Sequence, residues 1–291
     1  MDVCLMIEGQ EGVTWEQWLA LALATEAAGL GGLFRSDHYR SIVRGEPAGA
    51  LDAWATLAAL AARTERIRLG TMVSPVTFRP PSVLAKNVVT VDHISGGRVE
   101  LGIGAGWYEA EHESYGFPFG TQRARLDELD RQLEEITRQW TEAGDVRPRP
   151  LQQPRPPIIV GGRAKPRTVA AAIRHADEYN TTFPSVEEAR ERARVVAEAA
   201  RAAGRAPLRF SMMTGCVVGR DGAEVRERLA AWRDVTRSGD APPICGTVDE
   251  VVSRLRDYEA AGVERAMLQH LAHEDVDMVA VLGEVAAQVA A

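Results

Sequence analysis

Cysteine is scarce in this chain of 291 residues. The sequence has three cysteines, Cys4, Cys216 and Cys245, and no two of them form a Cys-x-x-Cys pair. A disulfide framework or a structural zinc site needs more cysteines at closer, repeated spacings. The sequence therefore argues against both and favours a protein of a reducing compartment.

The chain also lacks long apolar runs and an excess of basic residues. No apolar stretch approaches the roughly 20 residues that a membrane-spanning helix needs. The first apolar run lies between Asp2 and Glu8 and has no basic region before it, unlike a signal peptide. The formal net charge is −7 and the arginines are scattered. We therefore expect a cytoplasmic protein that binds neither membranes nor nucleic acid.

Several well-known catalytic motifs are missing. The sequence contains no Gly-x-Ser-x-Gly elbow and no P-loop. The pair His112-Glu113 is not followed by a second histidine four residues on, and the six histidines show no metal-ligand spacing. The sequence therefore predicts no metal site.

Strand and helix patterns alternate along the whole chain. Eight β-rich runs, each followed by an amphipathic segment, lie at about 3–7, 32–38, 67–73, 99–103, 157–160, 178–183, 209–218 and 266–269. This alternation predicts a parallel sheet. Eight units favour closure into a (β/α)8 TIM barrel of one domain, 1–291, over an open doubly wound sheet. The proline-rich stretch 147–157 is interpreted as a loop, because the alternation continues beyond it.

Polar residues cluster at the end of the second predicted strand, where barrel enzymes place catalytic groups. The cluster reads Ser36-Asp37-His38. His38 is suited to donate or accept a proton near neutral pH. Adjacent residues of a strand point in different directions, so Asp37 is expected to orient a loop or backbone. In the structural alternative, His38 hydrogen-bonds backbone and Asp37 caps a turn.

Glycines occupy positions 102, 104 and 106, at the end of the fourth predicted strand and in the loop after it. The run resembles a dinucleotide-binding fingerprint, but its sixth position is Trp107 and the Rossmann spacing fails. Gly104 and Gly106 would still let the backbone pass close to a flat ring. Trp107 would lie beside that ring or plug the barrel mouth.

A second glycine pair, Gly161-Gly162, follows the fifth predicted strand and leads through Arg163 into a helix that begins near Pro166. Free N–H groups and the positive dipole end of a helix favour a phosphate. Arg163 or Lys165 would add positive charge. A plain tight turn with solvated basic side chains is the alternative.

Longer motifs resemble a known family. They occupy residues 33–38, 69–81, 84–86, 90–98, 101–107, 156–162 and 176–180, and so extend in order over essentially the whole chain. Together they resemble the bacterial luciferase-like monooxygenase superfamily, specifically its coenzyme F420-dependent oxidoreductase branch.

The resemblance implies coenzyme F420, or FMN as the alternative, with its ring against the end of the third strand. It implies a cis peptide bond between Met72 and Val73, and a His38 that faces the ring and the substrate as proton donor or acceptor. The residues expected to bind the cofactor, including its phosphate, are Ser36, Met72, Val73, Ser74, Gly104, Gly106, Trp107, Gly161, Gly162, Arg163 and Asn180, with His38 and Asp37 as catalytic residues.

The expected partner is a small organic substrate. The aromatic residues Trp107, Tyr108, Tyr115 and Phe117 indicate a hydrophobic substrate or an interface. The family implies a homodimer. Relatives carry a longer segment than residues 141–156, and the shortening predicts a more open barrel mouth.

Overall fold

The computed structural model describes residues 1–45, 48–141 and 145–291. The strands of these residues are β1 Asp2–Ile7, β2 Gly32–Arg35, β3 Arg68–Thr71, β4 Ser74–Pro75, β5 Val99–Gly104, β6 Ile158–Gly161, β7 Glu178–Thr182, β8 Arg209–Gly219, β9 Ile244–Thr247 and β10 Arg265–Gln269.

The helices of the same residues surround these strands. They are α1 Trp15–Ala27, α2 Ala53–Ala61, α3 Pro81–Ser95, α4 Glu109–Tyr115, α5 Gln122–Thr141, α6 Pro166–His175, α7 Val186–Ala202, α8 Gly222–Thr236, α9 Val248–Ala260 and α10 Val276–Ala290. None of them is both long and apolar enough to cross a membrane.

Eight parallel strands close into a barrel. Their order is β1, β2, β3, β5, β6, β7, β8 and β10, and β10 pairs with both β8 and β1. Met267 of β10, for example, lies opposite Met213 on one side and Cys4 on the other. The predicted (β/α)8 barrel is confirmed, and the open sheet is excluded.

Ion pairs and apolar side chains fill the lower part of the barrel. Near the amino-terminal strand ends, Arg265 Nη2 lies 2.7 Å from Glu100 Oε2 and also contacts Glu178, and all three residues are buried. A buried cluster that contains Phe34 and Met267 forms another part of the core. Arg265 lies over the Phe34 ring, 5.1 Å from its centroid. These buried side chains fill the amino-terminal part of the barrel interior.

Three of the short strands and α-helices given above are absent from the sequence prediction. β4 has two residues and continues the line of β3 along β5 after the interruption at Met72 and Val73. β9 pairs with the far end of β8, which is eleven residues long. α4 begins at Glu109 without a side-chain cap, so the sequence holds no start signal for it.

The shortened segment before β6 lies at the amino-terminal face of the barrel. Residues 142–144 are outside the described residues. In the described part, Gln152 Nε2 donates to Asp92 and to the carbonyl of Val99, the first residue of β5, and Arg68 at the start of β3 donates to Gln152. These contacts lie at the end opposite the mouth. The expectation that this segment opens the mouth is therefore wrong, because it connects a helix to the beginning of a strand.

Candidate active site

A cavity of about 940 Å³ opens at the carboxyl ends of the barrel strands. All predicted site residues except Asp37 and Ser74 line it. The proton-transfer candidate His38 and the glycine pair Gly161-Gly162 therefore face one common space. The residues that the sequence analysis placed at different strand ends therefore meet at one cavity.

His38 is held by a carboxylate that the sequence analysis missed. Its Nδ1 lies 2.8 Å from Oε2 of Glu111, a fully buried side chain on α4. Glu111 Oε1 also accepts the backbone N–H groups of Tyr39 and Arg40. Burial by itself disfavours the charged imidazole, but the hydrogen bond and the charge of Glu111 outweigh it and raise the pKa of His38 above its ordinary value.

The same pair shifts the carboxylate. Burial tends to raise the pKa of Glu111, but the hydrogen bond and positive charge of His38, with the two backbone N–H groups, lower it below its usual range. Glu111 and His38 therefore stabilise each other's charged forms. With Nδ1 bonded to Glu111, Nε2 is the ring nitrogen left for the cavity.

Asp37 and Ser74 lie behind the cavity wall. Asp37 is buried and accepts hydrogen bonds from Ser74 Oγ at 2.6 Å and from both terminal nitrogens of Arg79, at 2.6 and 3.2 Å. Ser74 Oγ in turn accepts from Trp54 Nε1 at 3.0 Å. The geometry gives Asp37 the expected role of orienting a loop and not a direct catalytic one, because its hydrogen bonds go to Ser74 on β4 and to Arg79 in the loop after it.

Arg79 links the loop after β4 to the loop between β2 and α2 around this buried carboxylate. Besides Asp37 it contacts Asp52 at 2.7 Å and the Tyr39 hydroxyl at 3.1 Å. Burial disfavours its charge, but the two carboxylates outweigh that effect and raise its pKa. The segments after β2 and β4 are thereby fixed to the start of α2.

The side chain of Val73 packs against the backbone of Gly104 and lies close to Gly161. The peptide bond between Met72 and Val73 is cis, as the resemblance implies. A Cβ atom built on Gly104 would lie 2.7 Å from Val73 Cγ2, and one on Gly161 would lie 3.7 Å from Val73 Cγ1. Glycine at 104 is therefore needed to seat the valine side chain at the cavity wall.

The loop after β6 is fixed by a buried tyrosine. The Tyr179 hydroxyl accepts the Ala164 N–H at 2.9 Å and contacts Thr168 Oγ1 at 2.9 Å. A Cβ on Gly162 would lie 2.7 Å from the Tyr179 hydroxyl. Glycine is therefore required at position 162, because a larger side chain would clash with the Tyr179 hydroxyl.

One of the predicted phosphate donors, the backbone N–H of Gly162, is already used within the chain. The Gly162 N–H donates to the Asn180 carbonyl at 2.9 Å, so it is used within the chain. In the described residues no side chain caps the start of α6, where Lys165 precedes Pro166. A phosphate here would take its hydrogen bonds from the first turn of α6 and from Arg163.

Asn180 carries an unpaired atom beside the same cavity. Its side-chain nitrogen donates to Ser211 Oγ at 2.8 Å. Its Oδ1 is buried and has no hydrogen-bond partner among the described residues. A buried acceptor of this kind is destabilising unless a ligand or water completes it.

Trp107 lies at the rim and does not plug the barrel, because 62% of it is exposed. Its ring makes an edge contact with His38 at 5.8 Å and stacks with Tyr108 at 5.4 Å. Tyr115 and Phe117 instead pack on Tyr39, outside the cavity. Of the four aromatic residues considered from the sequence, Trp107 is the one that lines the cavity.

Other residues that line the cavity are not among the predicted site residues. Glu8 and Gln269 occupy strand ends, which marks them as candidates, whereas the cavity-facing side of α8 carries no comparable sequence signal. The remaining lining residues include Gln10, Ile42, Val43, Trp232, Thr236 and Leu271. Among the described residues no cluster of His, Cys, Asp or Glu is arranged to hold a metal ion.

The residues present fit a flavin-type cofactor. Gly104 and Gly161 leave the cavity wall free of side chains beside Val73, which suits a planar ring. The uncapped start of α6 suits a phosphate. The unpaired Oδ1 of Asn180 is an acceptor that a ring N–H would satisfy.

Comparison with known proteins identifies relatives of this chain. The family model described as luciferase-like monooxygenase matches residues 3–290. An uncharacterized protein of Mycobacterium tuberculosis is 33% identical over 228 residues, which is 74% of either chain. The FMNH2-dependent dimethylsulfone monooxygenase of Pseudomonas putida is 29% identical over 211 residues, or 66% of this chain and 55% of the other.

Solved structures share the fold. The monooxygenase RslO1 from Streptomyces bottropensis superposes with a TM-score of 0.81 at 24% identity over all of both chains. An F420-dependent secondary alcohol dehydrogenase, in complex with an F420-acetone adduct, gives 0.80 at 18% identity over 99% of this chain and 98% of the other. The family match over nearly the full chain, with a relative of 33% identity, leads to one conclusion: the chain belongs to the luciferase-like monooxygenase family.

Proposed function

We propose that this chain is a coenzyme F420-dependent oxidoreductase that transfers a hydride between the deazaflavin and an organic substrate. The observation that carries the proposal is His38, paired with Glu111 and facing the same cavity as the glycine loop after β6. This arrangement combines a proton carrier with a slot for a planar redox ring.

Val73, Gly104 and Asn180 would hold the ring of the cofactor, and the start of α6 would hold its phosphate. Arg163 and Lys165 are exposed beside that helix start. They favour a cofactor that continues beyond its phosphate into an acidic tail, as coenzyme F420 does. When bound, coenzyme F420 supplies the hydride chemistry, and the protein supplies orientation and protons.

His38 has the proton role. Glu111 fixes the ring orientation and favours the imidazolium, so Nε2 is positioned to donate a proton to a substrate oxygen during reduction. In the oxidative direction the same nitrogen accepts the proton. The apolar lining side chains Met72, Met213 and Leu271 exclude water from the reacting groups.

The proposal is tested first by binding. The purified protein is titrated with coenzyme F420 and, separately, with FMN, and binding is followed by absorbance and fluorescence. We expect saturable binding of coenzyme F420, with FMN weaker by about tenfold or more, a difference of about 1.4 kcal/mol. If coenzyme F420 does not bind, the proposal is wrong.

The role of His38 is tested next, with a panel of alcohols and ketones. His38→Asn should lower kcat by about 10²- to 10⁴-fold, the usual size of a general acid–base contribution. His93→Asn is the control, because His93 is exposed on α3. Equal turnover in wild type and His38→Asn would exclude the proton role.

The alternative is an FMN-dependent monooxygenase. It is favoured by the curated relative whose name states FMNH2 dependence. Oxygen uptake with reduced FMN and a candidate substrate separates the two functions, because a deazaflavin reacts poorly with oxygen.

A further inference from the structure

The cavity has two chemically different halves. In the closed barrel, β1 and β6 are four strands apart in either direction, so their carboxyl ends lie opposite each other across the mouth. Gly104 and Gly161, at the ends of β5 and β6, belong to one side, which we call the glycine half. Glu8 follows β1 on the other side, which we call the Glu8 half.

The wall of the Glu8 half is apolar. It is formed by Ile42 and Val43 after β2, Trp232 on α8 and Leu271 after β10. Trp232 and Leu271 belong to one small buried cluster that lies apart from the main core. The four side chains of this wall are uncharged, so the wall suits the apolar part of a ligand.

The wall is held in place by a buried carboxylate. Glu11 accepts the Ser41 hydroxyl at 2.7 Å and the N–H groups of Ile42, Val43 and Arg44 at 2.8, 3.0 and 2.8 Å. Four hydrogen bonds on one carboxylate fix the backbone of this loop. The side chains of Ile42 and Val43 are therefore presented to the cavity in a set position.

A single acidic group lies at the base of this half. Glu8 is buried, and its two oxygens accept from Gln269 Nε2 at 2.6 Å and from Gln10 Nε2 at 2.8 Å. Gln10 in turn accepts from Ser36 Oγ at 2.5 Å. The donors to Glu8 are neutral amides, so its negative charge is not cancelled by them, and each oxygen retains acceptor capacity.

We propose that the Glu8 half binds the organic substrate, and that this substrate is an apolar, uncharged molecule with one hydrogen-bond donor directed at Glu8. The inference rests on the proposed function for the roles of the two halves. A donor such as a hydroxyl gains a charge-assisted hydrogen bond from Glu8. A carboxylate or phosphate at the same position meets repulsion and loses its hydration.

Three matched probes test this class of ligand. They are 2-naphthol, with a donor; 2-methoxynaphthalene, without one; and 2-naphthoate, which is anionic. Binding is measured by ligand fluorescence and by saturation-transfer NMR at neutral pH, with and without coenzyme F420. We expect 2-naphthol to bind more tightly than 2-methoxynaphthalene and 2-naphthoate, each by about tenfold.

Two substitutions locate the site. Glu8→Gln keeps the shape and removes the charge, so the preference over 2-naphthoate should fall to about threefold or less. Ile42→Asp should weaken 2-naphthol by about tenfold. Ile94→Asp is its control, because Ile94 is similarly exposed (44% against 38%) but lies on α3, outside the cavity. Circular dichroism verifies that each variant is folded.

The outcomes separate this inference from the proposed function. No binding of 2-naphthol, equal binding of 2-naphthoate, or no effect of both Glu8→Gln and Ile42→Asp would overturn the substrate class. If coenzyme F420 fails to bind while the three probes are still discriminated, the ligand class holds and the proposed function fails. If coenzyme F420 binds and 2-naphthoate binds as tightly as 2-naphthol, the proposed function holds and the inferred ligand class is wrong.

Discussion

His38 Nδ1 and Glu111 Oε2 lie 2.8 Å apart, although 73 positions separate them in the sequence. The contact joins the loop after β2 to the short helix α4. It orients the imidazole and changes the protonation equilibria of both groups, which makes it directly measurable.

The first prediction concerns the titration of His38. In wild type its pKa is raised above the ordinary value of 6.5. Glu111→Gln removes the negative charge but leaves the burial, so the midpoint should fall below that of wild type. NMR titration of the imidazole nitrogens measures both midpoints. An unchanged midpoint in Glu111→Gln would show that Glu111 does not control the proton on His38.

The interaction between His38 and Glu111 should also make the free energy of unfolding depend on pH. The raised pKa of His38 contributes stability that is complete below pH 6.5 and is lost as pH rises through the folded value. The lowered pKa of Glu111 contributes stability that is complete above pH 4.5 and is lost as pH falls through its folded value. The difference in unfolding free energy between wild type and Glu111→Gln should therefore be largest between pH 4.5 and 6.5. Urea unfolding across this range measures it.

The second prediction concerns the loop after β6. Gly162→Ala should destabilise the fold by about 1–3 kcal/mol through overpacking against the Tyr179 hydroxyl. Gly161→Ala is the control, because the nearest atom to its added methyl group lies 3.7 Å away. Tyr179→Phe removes the clashing oxygen. The double variant Gly162→Ala/Tyr179→Phe should therefore lose less unfolding free energy than the sum of the two single losses. Simple additivity in urea unfolding would contradict this contact.

The third prediction concerns the seat of Val73. Gly104→Ala places a methyl group 2.7 Å from Val73 Cγ2 and should displace that side chain into the cavity. Coenzyme F420 binding should weaken by about tenfold or more, and Val73→Ala should partly restore it in the double variant. Gly239→Ala, with no atom near its added methyl group among the described residues, should bind as wild type does. Equal binding by Gly104→Ala would exclude the steric role.

The fourth prediction concerns Arg79. Arg79→Ala leaves the buried carboxylate of Asp37 without its cation and should lower the unfolding free energy by about 3–5 kcal/mol. Arg131→Ala breaks an exposed ion pair with Glu128 and should change it by less than about 1 kcal/mol. Chemical denaturation compares the two variants. Equal losses of unfolding free energy in the two variants would show that the buried pair of Arg79 and Asp37 contributes no more than an exposed one.

The barrel was predictable because its signal is periodic and repeated eight times. Strand ends could be read from the same pattern, so His38, Gly104 and Asn180 were correctly located at the cavity. The side on which a residue points was harder to derive. Asp37 and Ser74 occupy strand ends yet face Arg79 and Trp54, because a buried cation and an indole N–H require acceptors.

Partners distant in the chain were not predictable. Glu111 lies on a helix of seven residues without a cap, and neither its burial nor its contact with His38 has a local sequence signal. The same holds for Trp232 and Leu271, which meet only after β8 and β10 pair. Homodimerisation and a cytoplasmic location stay predictions.

The hydrogen bonds of Glu11 have a thermodynamic consequence for ligand capture. Because they order the backbone of residues 41–44 in the folded protein, that loop has little conformational entropy left to lose when a molecule arrives. The same hydrogen bonds hold backbone groups only and do not depend on which side chains stand at positions 42 and 43. The side chains at 42 and 43 can change during evolution while the carboxylate continues to hold their peptide groups, so new specificities can arise without refolding the rim.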